Sequence, residues 1–432
     1  MHPLLRLAYG TAGQVARLLA AAGPGGNSKF ARTLRARRGI RERYARWGAA
    51  GREAARPLLW VHAPSVGEGL QARPVLQLLR AERPDIQLAY THFSPSAESF
   101  ARNLDVDFSD YLPFDTASDV RAALDALRPA ALVFSKLDVW PTLARMADER
   151  GVRLGLVSAT LAAGSSRRSG PAVALLRDAY ARLDAVGAID AGDADRIVTL
   201  GARREVVTVT GDTRYDQVWT RARQADRAGP LLGPLASPRP TLVAGSTWPA
   251  DERVLLPAWT ALRRLEPEIR LVIAPHEPTP THLAAVERWA AAAGLVVARL
   301  GTATENPRTD VVLVDRVGVL GELYALADAA FVGGGFHSAG LHSVLEPAAY
   351  GVPVLFGPRH DMSRDAGLLI AAGGARSVAT AGGLVGSLGE WLAGDSSARR
   401  QAGQRARAVV QQGVGAARRS ADLVAALLPA PV

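Results

Sequence analysis

The turn His62-Ala63-Pro64-Ser65-Val66-Gly67-Glu68-Gly69 stands between an apolar run and an amphipathic one. Its small residues let a ligand approach the backbone. Ser65 is placed to cap a helix, and Glu68 falls in the first turn, where exposed amides favour an acid. A carboxylate there can serve as a general base, although a plain helix start accounts for the same acid. A second turn, from Thr91 to Ser99, presents Ser94 and Ser96, either to polar groups of a ligand or as a capping box around Ser96. A third, Ser135-Lys136-Leu137-Asp138-Val139-Trp140-Pro141, brings a cation, a carboxylate and an aromatic ring to a strand end; Lys136 and Asp138 could equally be an ion pair. Ser165, Ser166, Arg167 and Arg168 add hydroxyls and cations, as ligand contacts or as a solvated loop.

The second half carries its own set. Gly245-Ser246-Thr247-Trp248 precedes the acidic helix start Asp251-Glu252, where amides and hydroxyls suit a phosphate or form an ordinary N-cap. Ala274-Pro275-His276-Glu277 ends a strand with an imidazole and a carboxylate. The longest stretch runs from Asp315-Arg316-Val317-Gly318 to Gly333-Gly334-Gly335, then through His337, His342 and Ser343 to Glu346-Pro347. A triple glycine between strand and helix lets backbone N–H groups approach a phosphate, and a glutamate just inside the helix can hold a ribose hydroxyl. The stretch is neither G-x-G-x-x-G nor G-x-x-x-x-G-K-[ST], so dinucleotide-dependent dehydrogenase and P-loop chemistry both fall.

Positioning these turns requires strands that end at them. Apolar runs at 58–63, 86–93, 131–135, 153–159, 185–190 and 206–211 alternate with amphipathic stretches such as 69–82 and 117–127, the pattern of an α/β parallel sheet. A Pro/Gly-rich interval follows, and the series restarts at 241–246, 270–275, 295–300, 311–315, 329–334 and 352–357. The expected organisation is an N-terminal arm (1–56), a Rossmann-like domain (57–222), a linker (223–240) and a second Rossmann-like domain (241–432), the two domains facing across a cleft. Ligand sites in such sheets lie beyond the carboxyl ends of the strands, where the singled-out residues fall.

Composition narrows the chemistry. With no cysteine in 432 residues, thiol catalysis, disulfides and cysteine-ligated metals are excluded, and catalysis rests on carboxylates, histidines, hydroxyls and cations. The net charge of +10 lies wholly in residues 1–56, which hold twelve Lys and Arg against two acids. A neutral body argues against a nucleic-acid groove and for an arm that meets a polyanionic surface. Residues 3–22 are mostly apolar but include Arg6 and Arg17, which disfavours a spanning helix. An interfacial helix fits, with Leu4, Leu5, Leu7, Val15, Leu18 and Leu19 on one face, and the basic stretch Lys29 to Arg52 against anionic headgroups.

WVHAPSVGEG (60–69), YLPFD (111–115), VWP (139–141), GDTRYD (211–216), AGSTW (244–248) and the run from VGGG to LEPAAYGVPVLFGP occur in an order that resembles the bacterial 3-deoxy-D-manno-octulosonic acid (Kdo) transferases over most of the chain. The resemblance implies a B-type glycosyltransferase fold and inverting transfer of Kdo from CMP-Kdo to a lipid A precursor, at the cytoplasmic face of the inner membrane, without metal or cofactor. It implies Glu68 as the base, and a donor site of Ser246, Thr247, His276, Gly318, Gly333, Gly334, Gly335, His342, Ser343 and Glu346. Ser65, Gly67, Ser94, Ser96, Lys136, Asp138 and Arg167 would meet the acceptor or the sugar. The sequence departs from the family pattern at Lys136-Leu137-Asp138, where Glu-Thr-Glu is usual, and at Pro275-His276-Glu277, where Pro-Arg-His is usual. It departs again at Val317-Gly318-Val319 and at His342-Ser343. Two other classes share the glycine loops: an enzyme of the same fold with another nucleotide sugar, such as an epimerase, and a non-catalytic sugar-nucleotide binder.

Overall fold

The structure, a computed structural model, describes residues 3–22, 25–26, 28–168, 170–303, 308–392 and 396–431. They form two compact units, Met1–Gln217 with Gly415–Val432, and Val218–Val414. In the first, β1 (Leu58–His62), β2 (Gln87–His92), β3 (Phe108–Tyr111), β4 (Ala131–Ser135), β5 (Arg153–Ala159), β6 (Ala185–Ala188) and β7 (Val207–Val209) form one sheet in the order β3-β2-β1-β4-β5-β6-β7. All its pairings are parallel. LLWVH, QLAYTH and ALVFS are buried at every position, because helices cover both faces of a parallel sheet. One core layer centres on Trp60, Phe134 and Tyr180, and the other on Leu59, Leu76 and Tyr90.

The second unit repeats the plan with β8 (Thr241–Thr247), β9 (Arg270–Pro275), β10 (Val297–Arg299), β11 (Val311–Leu313), β12 (Ala329–Val332), β13 (Val354–Phe356) and β14 (Ala375–Ser377), again all parallel, in the order β10-β11-β9-β8-β12-β13-β14. Strand order reverses between β1 and β4 in one sheet and between β8 and β12 in the other. These reversals are the positions where a doubly wound sheet opens a ligand site. The edge strands β3 and β14 lie outside the apolar runs read from the sequence. In β3 the central pair Ser109 and Asp110 is not buried, and β14 is only Ala375–Ser377.

The chain does not simply divide near residue 240. Its last helix, Ala416–Ala425, belongs to the first unit, where Ala421, Val424 and Leu427 join the core layer around Leu76. Asp216 fixes this return by accepting the amides of Gly415 (2.7 Å) and Ala417 (2.9 Å), which caps the helix from outside its own sequence.

The N-terminal arm is built onto the first unit. Helix α1 (Pro3–Ala22) is tied down by Tyr9, which donates to Asp115 (2.8 Å), and by Arg17, which donates to Ser118 (3.2 Å). Val15, Leu18 and Leu19 are exposed, as the interfacial reading expects, while the side chains of Leu4, Leu5 and Leu7 lie outside the described residues. Among the described residues no helix is long and apolar enough to cross a membrane. The basic stretch over α2 (Lys29–Arg35) and α3 (Ile40–Ala50) divides in two. Arg37 is buried and donates to the carbonyl oxygens of Leu112 and Thr33. Arg41 pairs with Asp119 and Arg43 with Asp110, whereas Arg32, Arg38 and Arg46 are exposed. Part of the positive surplus thus staples the arm to the body rather than facing outward.

Candidate functional site

At the β1/β4 reversal, helix α4 (Val66–Glu82) begins directly after the β1 turn and carries Glu68 in its first turn. The Ser65 hydroxyl donates to Glu68 Oε2, and Lys136 Nζ, on the loop after β4, lies 3.2 Å from Oε1. Burial works to raise the Glu68 pKa, but the Ser65 hydrogen bond and the Lys136 charge outweigh it and hold the carboxyl below its ordinary value. The group is 17% exposed, ionised at neutral pH and equipped to take a proton. Gly69 must be glycine, since a Cβ there would stand 2.5 Å from the Phe100 ring and 2.7 Å from the Tyr90 hydroxyl.

Lys136 and Asp138 are not paired with each other. Asp138 instead faces Arg167 (3.5 Å) and the His62 ring (3.7 Å). Burial works against its ionisation, but His62 and Arg167 outweigh that and keep its carboxyl low. Arg167 also donates to the Leu137 carbonyl (2.7 Å), so the loop carrying Lys136 and Asp138 is held at its middle. Lys136 has a left-handed backbone (φ 67°), a conformation unusual for a non-glycine residue that turns the chain sharply after β4. Ser94 is buried and its hydroxyl meets that of Ser96 (2.8 Å), while the Ser94 amide donates to Pro64 O and so ties this turn to the one before Glu68. Gly67 is exposed beside Ser65.

Neighbours to which the sequence assigned no role in the site complete this end of the sheet. His62 Nδ1 lies 3.1 Å from the Thr91 carbonyl, and Trp140 Nε1 donates to His62 Nε2 (3.2 Å). Asp115, the last residue of YLPFD, accepts the Thr142 and Leu143 amides (2.8 Å each) and thereby fixes the helix that starts at Pro141, directly after Trp140.

At the β8/β12 reversal the side chains are arranged differently. Trp248 stacks on His276 (centroids 4.5 Å) and on His337 (4.3 Å, planes within 4°), and His276 stacks in turn on His342 (4.5 Å). Trp248 Nε1 donates to His342 Nε2 (3.1 Å). Burial lowers the His342 pKa and the neighbouring His276 and His337 lower it further, so His342 is neutral and its proton sits on Nδ1.

The glycine loop has a role the sequence did not suggest. The Gly334 and Phe336 amides donate to Asp251 (2.8 and 3.0 Å), as does the Trp248 amide (2.9 Å), so those groups are engaged within the protein. A Cβ on Gly333 would fall 2.2 Å from the Ser246 carbonyl, one on Gly334 2.1 Å from Gly340 O, and one on Gly335 2.4 Å from the Gly357 amide. The three glycines let backbone pack on backbone. Thr247 is likewise engaged, donating to Glu252 (2.8 Å), which also meets His282 Nε2 (2.9 Å). Ser246 adopts a left-handed backbone (φ 54°) between the two loops, and Ser343 is exposed. Glu346 is half-buried near Arg221 (3.5 Å), with its pKa raised by burial against the pull of that cation. Gly318 is exposed, left-handed (φ 90°) and open on its Cβ side.

Residues 38–217 match the family model described as 3-deoxy-D-manno-octulosonic-acid transferase. A 3-deoxy-D-manno-octulosonic acid transferase of Bordetella pertussis is 34% identical over 88% of this chain and 90% of its own length. The chain belongs to the Kdo transferase family. The Haemophilus influenzae member is 28% identical over 75% of each chain. Among solved structures, the UDP-GlcNAc 2-epimerase of Neisseria meningitidis superposes with a TM-score of 0.59 at 13% identity (82% of this chain, 98% of that one). A glycosyltransferase from Rickettsia africae superposes at 0.57 and 9% (86% and 98%). At such identities the superpositions speak for the fold, the B-type arrangement of two parallel-sheet α/β domains. As a Kdo transferase the chain is a glycosyltransferase, and its family landmarks now have physical content. YLPFD and GDTRYD supply the helix-capping Asp115 and Asp216, and AGSTW supplies the ring at the centre of the imidazole stack.

Proposed function

We propose that the protein transfers Kdo from CMP-Kdo to a lipid A precursor of the lipid IVA type during lipopolysaccharide synthesis, with inversion at the anomeric carbon, at the cytoplasmic face of the inner membrane. The observation that carries this reading is the Glu68 carboxylate, kept ionised by Ser65 and Lys136 at the strand-order reversal of the first sheet. Glu68 accepts the proton of the acceptor hydroxyl as that oxygen bonds to the anomeric carbon, and the bond from that carbon to the CMP phosphate oxygen breaks. Lys136 and Arg167 lie beside Glu68 and Asp138, placed to meet the carboxylate of the sugar and the phosphates of the acceptor.

In the second unit the ligand-facing groups are rings rather than fixed cations. His342 offers Nδ1–H, and His276, His337 and Trp248 offer a flat stacked surface, so the nucleotide is held by stacking and neutral donors. Ser246, Ser343, Gly318 and Glu346 complete the donor site in this reading. The leaving group's charge is met by protein groups and the reaction draws on no metal or cofactor. The N-terminal arm, with exposed Val15, Leu18, Leu19, Arg32 and Arg38, rests on the anionic bilayer that presents the acceptor.

The test is transfer of labelled sugar from CMP-Kdo to a tetraacyl lipid A precursor in detergent, with wild type and Glu68→Gln side by side. Transfer lost in the variant with CMP binding intact supports the reaction and the base. A wild type that binds nucleotide but transfers nothing to this acceptor sinks the reading, and a donor panel follows.

A further inference from the structure

We propose that the first unit binds one acyl chain of its acceptor in a cavity roofed by the N-terminal helix. The proposal rests on the lipid-acceptor reading above and adds where the hydrocarbon goes. The cavity measures about 550 Å³, the scale of a single-ligand pocket. Ala12, Gly13 and Ala16 of α1 form one wall, Phe30 of α2 another, and Phe93 and Trp140 the side facing the body of the sheet.

Its chemistry selects carbon. Apart from Lys29, the polar side chains that reach the wall bond within the protein: Tyr9 donates to Asp115, Asp115 accepts two backbone amides, Thr33 donates to the Lys29 carbonyl, and Arg37 donates to the Leu112 and Thr33 carbonyls. A polar ligand would find few partners there, whereas an alkyl chain would remove exposed ring and methyl surface from water. Lys29, exposed and part of the lining, supplies a cation for the negative end of an amphiphile.

Its position selects the acceptor. Phe93 and Trp140 stack at 5.5 Å, and Trp140 also donates to His62, the last residue of β1, from the loop whose Lys136 holds Glu68. One indole is therefore shared by the cavity and the polar site. An acceptor whose hydroxyl lies at Glu68 would reach this apolar recess past that ring. The roof is made of small residues at 12, 13 and 16, and Gly13 is close-packed, with a Cβ position 3.1 Å from Thr116 Cγ2. A larger side chain at 16 would fill the recess.

The experiment uses the full chain and two readouts. The first is binding of parinaric acid, read by energy transfer from tryptophan. Wild type is expected to bind, with the signal reduced in Trp140→Phe, and Ala16→Phe to weaken binding at least about tenfold. That loss corresponds to two methylenes at roughly fourfold each. Gln14→Phe places the same ring on the exposed face of α1 and is expected to leave binding within about twofold, which separates cavity filling from damage to the helix. Parinarate binding that survives Ala16→Phe, or falls equally in Gln14→Phe, overturns the proposal. The second readout is KM for acylated and deacylated acceptors. Ala16→Phe is expected to raise KM only for the acylated one, and an equal rise for both overturns the cavity's role. A wild type that binds parinarate but uses neither acceptor sinks the lipid-acceptor reading while leaving the cavity an acyl site.

Discussion

Each sheet carries a tryptophan–histidine hydrogen bond across its strand-order reversal, yet the two ends are equipped for different work. Trp140 donates to His62 at 3.2 Å in the first unit, and Trp248 donates to His342 at 3.1 Å in the second. Around the first pair the carboxylates meet side-chain cations: Glu68 with Lys136, Asp138 with Arg167. Around the second, Asp251 is fully buried and serves three backbone amides, Glu252 is held by Thr247 and His282, and what surrounds the indole is a set of stacked rings. One fold position can therefore carry ion-paired carboxylates or a set of stacked rings, which is the difference the proposed division between proton transfer and nucleotide binding rests on. The choice depends on whether its acids are left to side-chain partners or bound by the backbone.

Exchanging what the two carboxylates do should break the comparison most visibly. Glu68→Gln keeps the shape and removes the proposed base, so transfer is expected to fall about 10²- to 10⁴-fold with CMP affinity and unfolding midpoint nearly unchanged. Asp251→Ala should do the reverse. Three amides lose a charged acceptor, and a loss of about 3 kcal/mol in the stability of the second unit is expected, measured by urea unfolding of the intact chain. If Asp251→Ala left stability intact and abolished only nucleotide binding, the division between a reactive acid and an architectural one would fail.

Lys136→Met comes next. With the cation gone, burial is opposed only by hydrogen bonds, so the Glu68 pKa moves up. A base works above its pKa, so the acid limb of the kcat/KM profile moves to higher pH, and the plateau drops about tenfold or more because the same cation meets the anionic ligand in the proposed reaction. An acid limb that stays in place would show that Lys136 does not set the charge on Glu68.

The sequence made the strand ends legible because ALVFS and RLVIAP are largely apolar runs, buried at every position, and the turns after them hold the candidate site residues. It hid β3 and β14, since an edge strand needs no apolar run: Ser109 and Asp110 sit on the rim, and Ala375–Ser377 is too short to show a period. Which acid meets which cation was also hidden. Lys136 and Asp138 are two residues apart, which left an ion pair between them as open as two separate ligand contacts, but the left-handed turn at Lys136 lets the lysine reach Glu68 and leaves Asp138 to Arg167. The glycine triplet looked like room for a phosphate because a missing Cβ does not reveal what fills its place. Here it is the backbone of Ser246, Gly340 and Gly357. The return of Ala416–Ala425 to the first unit depends on Asp216, a contact about two hundred residues away in sequence that no local pattern encodes.

The smallest expected effect tests the pair with which the comparison began. Trp248→Phe keeps an aromatic ring between His276 and His337 but removes the N–H that holds His342 Nε2. A neutral hydrogen bond contributes about 1 kcal/mol net, so CMP affinity is expected to fall roughly threefold to fivefold if the bond serves only to orient the imidazole. His342 then has no reason to keep its proton on Nδ1, and that donor becomes available only part of the time. The same affinity loss should appear in His342→Gln, and combining the two should add little, because both remove one interaction. If the two losses multiplied, Trp248 and His342 would be acting on the ligand independently. The second unit would then be a cluster of separate contacts, not the counterpart of the Trp140–His62 pair in the first.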